Sequence, residues 1–597
     1  MDFFNHKIFK YTLIFLIFLE LLSFFGWLLP DFNTICFFII LLITLILSLE
    51  KLEYGVLILL AELFVGSKGY LFSLEAGETV ISIRMGLFVV VMGVWLLKFI
   101  LRIPVTLAQS QEVLRREGSL KSSNSLLTRI NIIIQGIPRF IRNILAALAI
   151  VILWAFVWGL VRGNNFGNVF LDFNNWLYFL LIFPVFYCLG GASNIFAKSA
   201  SLSQNNAGSR KCGTEQCRKF IKNILSVLTA AVLWLGIKSL ILLYIFSHEF
   251  VWALPEVYRW VRDTGIGEIT QMDHNFYRIF MQSQIYSLFL FFILIPISNF
   301  KFPSRAPGSS FQTNAKSQIP KSNNYWLLVT GYWLLILCLT TIILSFSRSY
   351  WVALIIVLLL YYFIIIFLLK TKFLKVIKNF AKILVMVGIS LVIIFTVINL
   401  PPKSSAEDLA SLISKRVTRT EAAGSSRLSM LGPLLKEIIK HPVIGSGFGT
   451  TVTYTSYDPR ILAVTAGQSG EFTTYAFEWA YLDMILKFGL AGVAIYLLLI
   501  YNILRRLANF KFLISNFQTN AKSQTLKSNN YWLLVTGYWL RLGFLLALVS
   551  LLVVNIFSPY LNHPLGIGFI ILSSLIAANS EPLGQIAGHE FVIGKNS

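Results

Sequence analysis

Charge is what this sequence has least of. Lys, Arg, Asp and Glu make up 13% of its 597 residues, against roughly 25% in an ordinary soluble domain. So little charge argues against a water-coated globule and for an integral membrane protein. Acidic residues are the scarcer sign, 27 against 50 Lys and Arg, for a formal charge of +23. In a soluble chain that excess would point to nucleic acid. Here the basic residues cluster between apolar runs, as the positive-inside rule produces, with anionic lipid head groups as a secondary partner. No basic, aromatic-interleaved domain stands apart from those runs, so no nucleic-acid partner is expected. Cysteine is sparse too, with 5 residues and no disulfide framework. Cys36, Cys188 and Cys338 lie in apolar runs, where a free thiol is a small hydrophobe. Cys212 and Cys217 share a basic loop with no His or second Cys pair to complete a zinc set, so no metal and no other cofactor is expected.

What the sequence has is apolar length. Hydrophobic residues reach 56% and Phe alone occurs 51 times. Runs of about 20 apolar residues, the length that crosses a bilayer, recur about 14 times. They cover approximately Phe9–Leu29, Thr34–Leu49, Tyr54–Leu71, Met85–Leu101, Ile144–Val161, Trp176–Phe196 and Ile224–Phe246. The second half adds Ile285–Phe300, Tyr325–Ser345, Trp351–Leu369, Ile383–Leu400, Tyr481–Leu504, Tyr531–Phe557 and Leu565–Ala577. The first run lacks a small-residue cleavage site and reads as a retained membrane helix. The fold class that follows is all-α, a polytopic membrane bundle of about 14 helices. Even-numbered connections such as Arg102–Arg142, Lys198–Lys222, Lys301–Lys321, Lys370–Lys382 and Arg505–Lys527 are rich in Lys and Arg. Among the odd ones, Phe72–Ile83 has none and Ser247–Gln284 is mixed. This asymmetry predicts a cytoplasmic N-terminus, a cytoplasmic C-terminus and an outer location for residues 401–480.

Three regions follow: residues 1–324 with N-terminal spans, 325–504 with the long outer loop, and 505–597 with the last spans. One segment is duplicated. Phe311–Leu334 returns as Phe517–Leu540, changed only at Ile319/Thr525 and Pro320/Leu526. Two copies this similar read as a recent duplication, since stacked repeat architectures need more.

The polar residues worth chemistry sit at outer edges. Ser345-Phe-Ser347-Arg348-Ser-Tyr350-Trp351 ends one span. Its arginine can snorkel to the interface or bind an anion through its guanidinium fork. In the long loop Leu428, Leu431, Leu434, Leu435, Ile438 and Ile439 recur at helical spacing behind Arg427. This predicts an amphipathic helix lying on the membrane or on the bundle, limited by His441-Pro442. The turn Gly445-Ser-Gly447-Phe-Gly449 follows. It lacks the Gly-Lys-Ser/Thr of a P-loop and reads as a bend. The return span opens with Glu478-Trp-Ala-Tyr481-Leu-Asp483 and continues to Lys487. Asp483 and Lys487 are spaced as an i,i+4 ion pair. Glu478 is either a solvated charge at a helix start or a group placed for chemistry. Earlier outer residues, Arg259, Arg262, Arg278 and Arg84, are further candidates, Arg278 the best placed of them.

These units, in this order, resemble the O-antigen ligase and O-antigen polymerase family of bacterial membrane glycosyltransferases, over about Trp326 to Tyr501. Ser347-Arg348-Ser349 matches a Ser-Arg-Gly-like helix end. Arg427 through His441-Pro442-Val-Ile-Gly445-Ser-Gly447-Phe-Gly449 matches an Arg-led helix ending in His-Pro and a glycine turn. Tyr481-Leu482 and Gly489-Leu-Ala-Gly492 match the next element, but Glu478 and Trp479 stand where the family has His and Asn. The resemblance implies a multi-pass protein of the bacterial inner membrane that works at its outer face. It implies transfer of a glycan from an undecaprenyl-diphosphate donor to the hydroxyl of a glycan or lipid-linked acceptor, with no cofactor. Glu478 and Arg348 would be catalytic. Arg278, Arg427, Arg259, Arg262 and His441 would bind diphosphate or substrate. The other readings are a transporter or flippase of lipid-linked glycans, and a family member without catalysis.

Overall fold

The computed structural model describes residues 4–76, 79–116, 137–189, 207–250, 253–273, 276–298, 323–401, 422–456, 470–509 and 528–578. Much of each duplicated segment, and side chains at the starts of the helices that follow them, lie outside the described residues.

The chain is helical because a lipid-exposed backbone has to satisfy its own hydrogen bonds. In order come α1 (His6–Leu28), α2 (Pro30–Glu50), α3 (Leu52–Val65), the hairpin β1 (Ser73–Ala76) and β2 (Thr79–Ser82), and α4 (Ile83–Arg116). Next are α5 (Arg139–Val161), α6 (Phe166–Leu177), α7 (Ile182–Cys188), α8 (Ala207–Ser247) and α9 (Leu254–Asp263). A second hairpin, β3 (Glu268–Asp273) and β4 (Phe276–Phe280), leads to α10 (Ile285–Ser298), α11 (Asn323–Leu344), α12 (Arg348–Phe363) and α13 (Phe373–Ile398). The long segment holds α14 (Ala422–Lys440) and the hairpin β5 (Val452–Thr455) and β6 (Glu471–Thr474). The chain then returns through α15 (Ala480–Leu507), α16 (Ser528–Val554) and α17 (Pro564–Ala578). Among the described residues each apolar run read from the sequence contains helix, although the run from Tyr54 leaves it after Val65 and the run from Trp176 is described only as far as Leu189. Among the described residues, 10 helices are long and apolar enough to cross a membrane.

Helix packing follows the logic of a lipid solvent. In α1 the inward stripe is Leu16, Leu19, Glu20, Ser23 and Gly26, while Ile14, Phe18, Leu21 and Phe25 face outward and exposed. Large apolar side chains meet lipid, and small or polar ones meet protein. The shortest spans are the most enclosed. The helices α3 and α10 have 14 residues each and α17 has 15, and nearly all their side chains are buried. A 15-residue helix is only about 22 Å long, short of a hydrocarbon core of about 30 Å. It can be short because protein surrounds it.

Contacts between connections sort them onto two faces. On one, Ser23 Oγ donates to the Leu71 carbonyl at 2.6 Å, Trp27 Nε1 to Asp263 at 3.1 Å, and Asn164 Nδ2 to the Phe448 carbonyl at 2.7 Å. His248 Nε2 meets the Leu400 carbonyl at 2.7 Å on the same face. On the other, Asn5 donates to Asn223 at 2.9 Å, Asn223 to Glu53 at 2.6 Å, and Arg506 lies over the Phe140 ring at 5.0 Å. This is the odd–even alternation expected from the sequence. The hairpins were not anticipated. All three sit on the first face, which also carries the long segment.

The glycine turn proves to be a splice in a membrane helix. Gly489 of α15 has φ +70°, which breaks the helix and frees carbonyls and N–H groups roughly 14 Å along it. The turn fills them. Ser446 and Gly447 donate to the carbonyls of Leu486 at 2.6 Å and Lys487 at 2.9 Å, while Pro442 and Val443 carbonyls accept from Leu490 at 2.9 Å and Ala491 at 3.1 Å. Phe448 N–H donates to the Ala155 carbonyl of α5 at 2.9 Å. Orphan backbone groups at membrane depth are tolerated only when protein supplies partners in this way.

Candidate active site

Arg348 is the first residue of α12, exposed between buried neighbours Ser347 and Ser349. A cation at a helix N-terminus opposes the helix dipole, so α12 gains no stability from it. The turn before it is tight, with Phe346 at φ +47°. The serines around it link hydroxyl to hydroxyl: Ser347 Oγ to Ser349 Oγ at 2.9 Å, and Ser349 Oγ to Ser558 Oγ at 3.2 Å. Tyr350 and Tyr560 hydroxyls lie 2.5 Å apart, and both reach the Gln282 carbonyl.

Arg278 comes to the same turn from β4. Its Nε donates to the Ser345 carbonyl at 2.9 Å and its guanidinium covers the Phe280 ring at 4.8 Å. The hairpin register opposite Thr270 aims it there.

Arg427 lies near the start of α14, and its guanidinium is ion-paired with Glu478. The two side chains are 39% and 52% exposed, so the pair opens to solvent. The Arg427 carbonyl accepts from Trp479 Nε1 at 3.0 Å, which ties the start of α14 to the start of α15. Inward from there Met430, Leu434 and Ile438 pack on Val452, Tyr454 and Phe477. Thus α14 lies on the bundle along this stripe, while Leu428, Leu435 and Ile439 are exposed. Burial holds the Arg427 pKa below its ordinary value, and the charges of Arg348 and Arg278 press the same way. That mutual influence puts the three guanidinium groups and Glu478 in one electrostatic neighbourhood, drawn from β4, α12, α14 and the entry to α15.

Residues 333–497 match the O-antigen ligase family. Over this stretch the chain is similar to an O-antigen ligase domain. The domain supports a membrane glycosyltransferase- or ligase-like enzyme that works on lipid-linked glycans, in a multi-pass bacterial membrane protein. No curated protein is similar enough to this chain to count as a match. The matched region runs from within α11 to within α15, so the ligase domain includes Arg348, Arg427 and Glu478, while Arg278 reaches it from outside.

Beneath the ligase domain's entry to α15 lies a buried polar network. Lys487 Nζ bonds Asp172 of α6 at 2.7 Å and Asp483 at 2.8 Å. The i,i+4 pair expected from the sequence is therefore present, with a third member added. Gly449 N–H donates to Asp172 at 2.9 Å, and Asn562 Nδ2 to Asp483 at 2.7 Å. The network joins α6, the glycine turn, α15 and the connection between α16 and α17. Just above it, burial raises the Tyr475 pKa, with the Asp172 charge adding to the effect.

The other candidates are placed differently. Arg259 and Arg262 lie exposed on α9, and the hydrogen bonds and ion pairs among the described residues do not join them to Arg348 or Glu478. His441 closes α14, its N–H on the Ile438 carbonyl at 3.1 Å and its own carbonyl accepting from Gly445 at 3.0 Å. Arg84 is buried, forked onto Glu62 at 2.8 and 3.1 Å, with a third bond to the Ser67 carbonyl at 2.7 Å. It is an internal clamp, enclosed with its carboxylate partner. Asp172 and Asn562 were missed by sequence reasoning. Asp172 carried a signal, a lone carboxylate in an apolar run. Asn562 carried none.

Proposed function

We propose that this protein transfers a glycan from undecaprenyl diphosphate to an acceptor sugar hydroxyl at the outer face of the bacterial inner membrane, with both termini cytoplasmic. One observation carries the reading: the Arg427–Glu478 pair stands within electrostatic reach of Arg348 and Arg278 on the face that holds the long segment. The basic connections of the opposite face support its assignment to the cytoplasm.

In this reading Arg348, Arg278 and Arg427 hold the donor diphosphate and neutralise the charge that builds on it as it leaves. Glu478 accepts the proton of the acceptor hydroxyl. The acceptor oxygen attacks the anomeric carbon from the side opposite the carrier, the bond to the diphosphate oxygen breaks, and its electron pair leaves with the lipid diphosphate. The configuration inverts. A carboxylate suits the base role because it is ionised at neutral pH by default. Arg259, Arg262 and His441 serve in outer contacts with substrate.

The test supplies radiolabelled lipid-linked glycan to the purified protein in lipid and measures released lipid diphosphate. Wild type releases it. Glu478→Gln loses about 10²–10⁴-fold, the usual worth of a positioned base. Arg348→Ala loses about 10²–10³-fold, the usual worth of one charge-stabilising donor. Full activity in both variants would overturn the assignment.

A further inference from the structure

Glu478 as observed is a poor base, because an arginine pairs with its carboxylate and occupies the oxygens a hydroxyl proton would have to reach. The same arginine stands with Arg348 and Arg278, and among these four side chains guanidiniums outnumber carboxylates. A diphosphate placed among them competes with Glu478 for Arg427, and guanidinium forks bind phosphate as well as carboxylate. The surroundings let Arg427 change partner without moving its helix. Its main-chain carbonyl is held by Trp479, and α14 is seated through Met430, Leu434 and Ile438. Only the half-exposed side chain has to swing.

We propose that Arg427 is an exchangeable clamp: it pairs with Glu478 in the empty enzyme and transfers to the donor diphosphate, which unmasks Glu478 as the base. This rests on the proposed function and adds an order to it. The acceptor hydroxyl meets a competent base only after the donor is seated. Arg427 acts on the base as a positioning residue, and no proton moves in the exchange itself. Trp479 becomes the hinge pin, since it fixes the backbone from which the side chain swings.

The test measures equilibrium binding of undecaprenyl diphosphate, without glycan, to the full-length protein in lipid nanodiscs. Wild type is compared with Glu478→Gln, Arg427→Gln and the double variant. Glu478→Gln releases Arg427 in advance and is expected to tighten binding about threefold to fivefold, the worth of a partly exposed ion pair. In the Arg427→Gln background the same change is expected to do nothing beyond twofold. If the tightening persists there, Glu478 merely repels the diphosphate and the exchange is wrong. If Glu478→Gln does not tighten binding at all, the exchange is likewise wrong, while tight wild-type binding still upholds the donor class. Failure of wild type to bind the lipid diphosphate overturns both.

Discussion

Removing the ammonium of Lys487 tests the buried network most directly. The Lys487 side chain is 5% exposed and serves two carboxylates, Asp172 at 2.7 Å and Asp483 at 2.8 Å, themselves 10% and 3% exposed. Lys487→Met fills similar space and leaves both acids buried without their cation. Breaking a buried pair from one side costs about 3–5 kcal/mol, because the remaining charge stays desolvated. At 1.4 kcal/mol per decade this is roughly a 10²–10⁴-fold shift toward the unfolded state. The cost belongs to the stranded charges, so neutralising them should recover most of it. In the triple variant Asp172→Asn/Asp483→Asn/Lys487→Met, the amide oxygens can still accept from Gly449 N–H and Asn562 Nδ2. The assay is unfolding in mixed micelles on a denaturing-detergent gradient, followed by tryptophan fluorescence. A Lys487→Met cost below about 1 kcal/mol, or a triple variant as unstable as the single one, refutes the reasoning.

Four further outcomes are expected. Gly447→Ala strains φ +85° and drives a Cβ to 2.4 Å from the Gly159 nitrogen, so it should cost about 2–5 kcal/mol from left-handed strain and overpacking together. Gly388→Ala, in α13 with nothing within 4 Å, should be neutral or stabilising by up to about 1 kcal/mol, and thermal midpoints of the two variants make the comparison. Burial, with Arg84 and Lys68 adding, pushes His563 down to about 3. Its folded pKa lies below the unfolded value, so the unfolded state takes up the proton first and stability should fall as pH drops through about 6.5 toward 3, a loss that His563→Gln reduces in pH-dependent unfolding. Arg278→Ala should lower glycan transfer more than Arg259→Ala or Arg262→Ala, measured side by side, because Arg278 shares the neighbourhood of Arg348 and Arg427.

Sequence alone determined the spans and their alternation between two faces. Lipid leaves an apolar run little choice but helix, and short basic connections report the side on which they were retained. It also singled out Arg348, Arg427 and Glu478, because polar residues at the edge of apolar runs are few. Tertiary structure decided what those residues meet. Arg427 finds Glu478 only because α14 folds back over the β5–β6 hairpin and Trp479 holds the Arg427 carbonyl. Lys487 finds Asp172 across 315 residues of chain, through a helix whose single carboxylate has no local partner. The glycine turn looked like a bend until Gly489 was seen to break α15, and its dihedrals are set by the helix it completes. Local pattern reaches only as far as a helix turn or a hairpin. Pairings across the bundle depend on how helices pack, and apolar helices of nearly uniform composition carry little of that in their order of residues.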